Sequence, residues 1–178
     1  CEHLLFMGTE KYPKEDEYQD FIAKNGGYTN AYTSETSTVY YFNVANDAIK
    51  EALDRFAQFF ICPTFNSESV EKEINAINSE YMGKYFNDTR RLYQLLLSEG
   101  NPKSVFNHFS VGSKETLSLP DIRDRLLEMH KKYYSSDIMS LCIYNNKPIE
   151  ELSKLVDELF TQIPKINNFS LPKYDEII

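Results

Sequence analysis

Residues 26–44 read GGYTNAYTSETSTVYYFNV, and their pattern decides the fold class. Two runs rich in Thr, Tyr, Val and Phe, Tyr28 to Ser34 and Ser37 to Val44, flank a short polar turn around Glu35. β-Branched and aromatic side chains suit a pleated, half-buried surface, and the Gly26-Gly27 pair punctuates the start. The stretch therefore predicts a β-hairpin.

Helical periodicity surrounds the hairpin. Upstream, Leu4 to Met7 continue an apolar helix that Gly8-Thr9 ends, and Pro13 leads into a helix from Lys14 to Lys24. Downstream, Asn46-Asp47 caps a helix in which Ile49, Leu53, Phe56 and Phe60 recur at helical spacing up to Cys62-Pro63. A longer helix starts at about Ser67, another spans Asp88 to Ser98, and Pro120 opens one that reaches about Tyr134. Lys103 to Leu119 has no period and reads as a surface loop. Asp137 to Tyr144 reads as a buried strand, Pro148 starts a helix to about Gln162, and Pro164 to Ile178 reads as an extended exit. Helices before, after and between strands predict an α+β fold, an antiparallel sheet packed with several helices.

The 178 residues are enough to bury about 70% of the unfolded surface around one core. A net charge of −8 argues against a nucleic-acid surface, which needs a basic face to meet phosphates. No apolar run is long enough for a membrane span. Cys1, Cys62 and Cys142 are few, odd in number and set in apolar surroundings. They read as buried free thiols in a reducing compartment, so the expected location is cytoplasmic.

Chemistry concentrates at the start, C-E-H-L-L-F-M-G-T-E-K-Y-P. Glu2 and His3 precede an apolar run, where a carboxylate and an imidazole carry a desolvation cost unless something pairs with them. A metal ion would do so, since imidazole nitrogen and carboxylate oxygen both suit zinc. Taken alone, the pair reads equally as two solvated surface groups. His108 and His130 have no metal spacing to other residues and read as a loop and a helix side chain.

The opening segment resembles the tail of the inverted zinc motif H-x-x-E-H of the insulinase/pitrilysin metallopeptidases, in their insulysin branch. N-A-Y-T-S followed by T-V-Y-Y-F-N-V, then A-L-D-R-F-A-Q-F-F-I-C-P, E-I-N-A-I-N-S-E-Y, G-N-P-K and Y-Y-S-S-D-I-M follow the family's order along the chain. The resemblance implies one N-terminal metallopeptidase domain over 1–178, beginning inside the motif, two residues after its first histidine, and lacking the strands before it. It implies a zinc ion held by that histidine, His3 and Glu80, with Glu2 as general base and Glu73 as a supporting carboxylate. Glu73 and Glu80 lie seven residues apart, on a helix face distinct from the Ile74-Ile77-Tyr81 stripe. Asn30, Ala31 and Tyr32 would bind substrate by pairing with a peptide backbone; from the residues alone an ordinary hairpin strand is an equal reading. Arg90 departs from the aromatic residue the family has there, so no role is carried to it.

The implied activity is zinc-dependent hydrolysis of peptide bonds in small unfolded peptides, with this chain inactive, or nearly so, by itself and holding zinc weakly. The implied partners are peptide substrates and the remaining domains of a longer chain, with a homodimer left open. A non-catalytic member of the same fold, acting in protein assembly, is the alternative; the joint presence of Glu2, His3 and Glu80 speaks against it.

Overall fold

The computed structural model describes residues 1–101 and 107–166. The chain divides into two compact units, Cys1–Ser69 with Arg123–Asn167, and a second containing Val70–Ile122. The fold is α+β, as the hairpin and flanking helices predict.

In the first unit the hairpin is built from β1 (Tyr28–Thr33) and β2 (Thr38–Asn43), which run antiparallel with Ala31 opposite Tyr40 and Thr33 opposite Thr38. Gly27 precedes β1 because a Cβ there would meet the Asn43 carbonyl oxygen at 2.0 Å. Pleating sends alternate side chains to opposite faces. Tyr40 and Phe42 point inward, where Tyr40 meets Phe59 and Phe60 while Phe42 meets Tyr18 and Phe56. Tyr28, Tyr32, Val39 and Tyr41 lie on the outer face and are exposed.

Two helices flank this aromatic centre. α1 (Glu17–Lys24) contributes Tyr18 and Ile22 to the core, and α2 (Ile49–Ile61) contributes Leu53, Phe56, Phe59 and Phe60. Arg55 of α2 lies 3.9 Å from the Phe21 ring centroid and 4.4 Å from that of Tyr12, and its Nη2 pairs with Glu17 at 2.8 Å. This ties α1 to α2 through cation–π contact and charge together. Later in the chain, α6 (Ile122–Tyr133) and α7 (Ile149–Phe160) join the unit, α7 burying Leu152, Leu155, Leu159 and Phe160. Helices named here α3 (Ser67–Tyr85), α4 (Asp88–Ser98) and α5 (Lys114–Leu117) complete the described elements. The second unit holds all but the first turn of α3, where Val70 and Glu73 are buried, and α4, none of whose residues is buried.

Four expectations are corrected. Leu4 to Met7 is not an α-helix: His3–Phe6 forms a single 3₁₀ turn, ended before Gly8 at φ +98°. Within Lys103–Leu119 the helix α5 forms because Ser113 and Thr116 cap each other's backbone N–H groups; residues 102–106 lie outside the described residues. Asp137–Tyr144 is not a buried strand. It starts as a 3₁₀ turn at Ser136–Ile138 and continues without a ladder, with Leu141 and Tyr144 exposed. Met139 is extended, at φ −112° and ψ 154°, but a strand also needs a neighbour, and the sheet among the described residues has two strands. The thiols are not buried as expected: among the described residues Cys1 and Cys62 are half-exposed and Cys142 is exposed. Most of the expected extended exit, 167–178, lies outside the described residues.

His130 of α6 is a helix side chain, as its sequence predicts, but it points into the core. Its Nε2–H donates to the Phe59 carbonyl at 3.0 Å, and its ring stacks on Tyr134 at 4.7 Å. Burial pushes its pKa below the usual 6.5. The folded state therefore refuses a proton that the unfolded chain accepts as pH falls through that value, so stability is lost on the acid side. Urea midpoints should fall between pH 7 and pH 5.5, and His130→Asn should flatten that part of the profile.

Candidate active site

The turn His3–Phe6 is too short to hold itself, since runs of 3₁₀ hydrogen bonds are weak. Burial holds it: Leu4 is 5% exposed and Leu5 0%, and the Phe6 ring meets Phe59 edge-on at 5.2 Å. Glu2, just before the turn, makes no capping bond to it. Its carboxylate is instead directed at the hairpin, where Oε2 accepts a hydrogen bond from Thr33 Oγ1. The other oxygen, Oε1, lies 3.9 Å from His3 Nε2.

Beside the carboxylate stands a pair of phenols. The hydroxyls of Tyr40 and Tyr134 are 2.6 Å apart. Burial pushes both pKa values up, that of Tyr40 well above the ordinary tyrosine range, and the negative charge of Glu2 adds to the effect. Both phenols therefore remain protonated and neutral next to Glu2.

Among the described residues β1 pairs with β2 alone, so its other edge has no neighbouring strand. Ser34 N–H bonds to Ser37 O at 2.8 Å, so by antiparallel alternation the Ala31–Tyr40 pair is one that exchanges no ladder hydrogen bonds. The N–H of Ala31 thus faces away from β2, and it donates to Asn30 Oδ1 at 2.9 Å. Asn30 and Tyr32 are exposed and Ala31 is half-buried. Asn30, Ala31, Tyr32, Glu2 and His3 are thereby brought to one region of the first unit.

Glu73 and Glu80 belong to α3 in the second unit. Glu73 is buried, at 6% exposed, whereas Glu80 is exposed and bonds to Lys84 one turn on. Neutral imidazole and carboxylate are donors that suit zinc, but a catalytic site takes three protein ligands. Among the described residues no group of three or more His, Cys, Asp and Glu is gathered to hold a metal ion. The imidazole of His3 and the carboxylate of Glu80 are each donors of a kind that suits zinc.

Residues 1–103 match the family model described as Insulinase (Peptidase family M16), and residues 121–177 match that of the Peptidase M16 inactive domain. The chain belongs to the insulinase family. It is 43% identical to the insulin-degrading enzyme of Homo sapiens over 99% of its length, and 45% identical to the A-factor-processing enzyme of Saccharomyces cerevisiae over all of it. These relatives place it in the insulysin branch. The chain spans 18% of the length of each. Among solved structures, that of pitrilysin superposes with a TM-score of 0.86 at 35% identity, covering 96% of this chain and 19% of pitrilysin. Every site residue named above from sequence lies within the segment that matches the first insulinase model. No described helix is long and apolar enough to cross a membrane.

Sequence reasoning missed Thr33, Tyr40 and Tyr134 as neighbours of Glu2. A threonine in a Thr-rich hairpin and two aromatics in an aromatic-rich chain carry no distinguishing signal. The phenol pair should show the asymmetry of buried hydrogen bonds. Tyr40→Phe leaves the Tyr134 hydroxyl unpaired and should cost about 1–2 kcal/mol of unfolding free energy by urea titration. Adding Tyr134→Phe should cost less than a second equal increment.

Proposed function

We propose that the chain is part of a zinc-dependent endopeptidase that hydrolyses peptide bonds in small unfolded peptides. The observation that carries this reading is the seating of Glu2. Its carboxylate is fixed by a residue of the hairpin strand, adjacent to an imidazole, within a segment that matches the insulinase model.

In this reading His3 and Glu80 are zinc ligands, and a third donor comes from beyond these two. Zinc, when bound, supplies Lewis acidity towards a carbonyl oxygen and acidifies water. Glu2 acts as general base, taking a proton from the attacking water and passing it to the leaving amine. Glu73, buried on the same helix as Glu80, supports the ligand face by holding α3 in place. A substrate peptide adds to the outer edge of β1 through backbone pairing at Ala31, displacing the Asn30 side chain from the Ala31 N–H, with Tyr32 alongside.

The chain alone is proposed to be inactive or nearly so and to hold zinc weakly, because its own residues offer two donors. Its partners are peptides and the further domains of a longer chain. A reducing, cytoplasmic setting is proposed for it, one that suits three cysteines with no disulfide among the described residues.

In the complete protein, Glu2→Gln should lower kcat by about 10²–10⁴-fold while zinc content by atomic absorption stays at the wild-type level. Normal turnover of that variant would remove the general-base role. Glu80→Gln should weaken zinc retention on dialysis by at least about tenfold; unchanged retention would remove Glu80 from the ligand set.

A further inference from the structure

We propose that Thr33 is the positioning residue of the Glu2 carboxylate, so that the strand offered to the substrate also sets the place of the base. This inference rests on the general-base reading of Glu2.

A glutamate side chain has three torsions to fix, and catalysis requires a base held within about 0.5 Å of its working position. The Glu2 side chain makes no capping hydrogen bond to the 3₁₀ turn that follows it, and its Oε1 lies 3.9 Å from His3 Nε2. Thr33 supplies the restraint. Its Oγ1 donates to Glu2 Oε2, and a hydroxyl bonded to a carboxylate is about twice as strong as a neutral pair. Threonine is branched at Cβ, so its hydroxyl is aimed by the strand backbone with little torsional freedom.

The hydroxyl is itself held from behind. Thr33 Oγ1 and Thr38 Oγ1 are 3.1 Å apart, in cross-strand positions of the last pair before the turn. Each hydroxyl has one proton, and that of Thr33 is committed to Glu2. Thr38 therefore donates to Thr33, and a relay runs Thr38 to Thr33 to Glu2. The pleat places Thr33 on the same face of β1 as Ala31, two residues earlier. A peptide registered on the β1 edge at Ala31 is thus registered against the carboxylate held at Thr33. The base and the substrate share one rigid element.

The test uses the complete enzyme with an internally quenched peptide. Thr33→Val should lower kcat by about 10–100-fold with KM within about twofold of wild type, and with zinc content unchanged. Thr33→Ser, which keeps the hydroxyl, should restore kcat to within about threefold, a rescue that a purely structural role for the side chain would not give. Thr33→Val added to Glu2→Gln should cause less than about a twofold further loss, since both act through one carboxylate. Wild-type kcat in Thr33→Val would overturn the inference. So would equal losses in the valine and serine variants, or a change confined to KM. Glu2→Gln run in parallel separates the two readings. If it turns over normally, the base role falls and this inference with it; if it is inactive while Thr33→Val has wild-type kcat, only the role of Thr33 falls.

Discussion

The packing of Phe59 against the rings around it is the constraint on which the rest of the first unit depends. Phe59 is 1% exposed and meets Phe6 at 5.2 Å, Tyr18 at 4.7 Å, Tyr40 at 6.3 Å and Phe56 at 5.5 Å. These partners come from the N-terminal turn, α1, β2 and α2 itself. A two-stranded hairpin is marginal alone, and so is a four-residue turn. Each becomes ordered because one face of it is buried against the same ring cluster. Glu2 is brought to Thr33 by this convergence, its side chain making no capping bond to the turn.

The helices and the hairpin were legible because their signals are local. Ile49, Leu53, Phe56 and Phe60 share a helical face whatever surrounds them, and Tyr28–Thr33 and Thr38–Asn43 are strand-like in composition. The inward face of the hairpin was not legible. Tyr40 and Tyr41 are chemically identical neighbours, yet one packs on Phe59 and the other lies 37% exposed. Only the distant rings decide between them. The segment Asp137–Tyr144 shows the converse. Its composition suits a buried strand, but strand formation is a pairing between distant residues, and composition alone does not supply the partner.

Phe65 marks another limit of local reading. It has φ +41°, in the left-handed region where a bulky residue is strained, and it is 1% exposed. Its carbonyl accepts from Arg123 Nε at 2.8 Å, and its ring meets His130 at 5.9 Å. A residue 58 positions later thus helps to hold the strained backbone. Nothing in C-P-T-F-N announces this, because the restraint lies in α6.

The candidate site divides the same way. Glu2 and His3 are contiguous and carry a motif, so sequence singles them out; Thr33 carries none and is found only by its contact. The first two nonetheless differ. Glu2 precedes the 3₁₀ turn and His3 opens it, and their side chains lie 3.9 Å apart. The glutamate side chain is 22% exposed and tucked towards the hairpin, whereas the histidine is 42% exposed and turned outward. The backbone geometry of one short turn, with Leu5 buried beneath it, thus gives two neighbouring residues different surroundings.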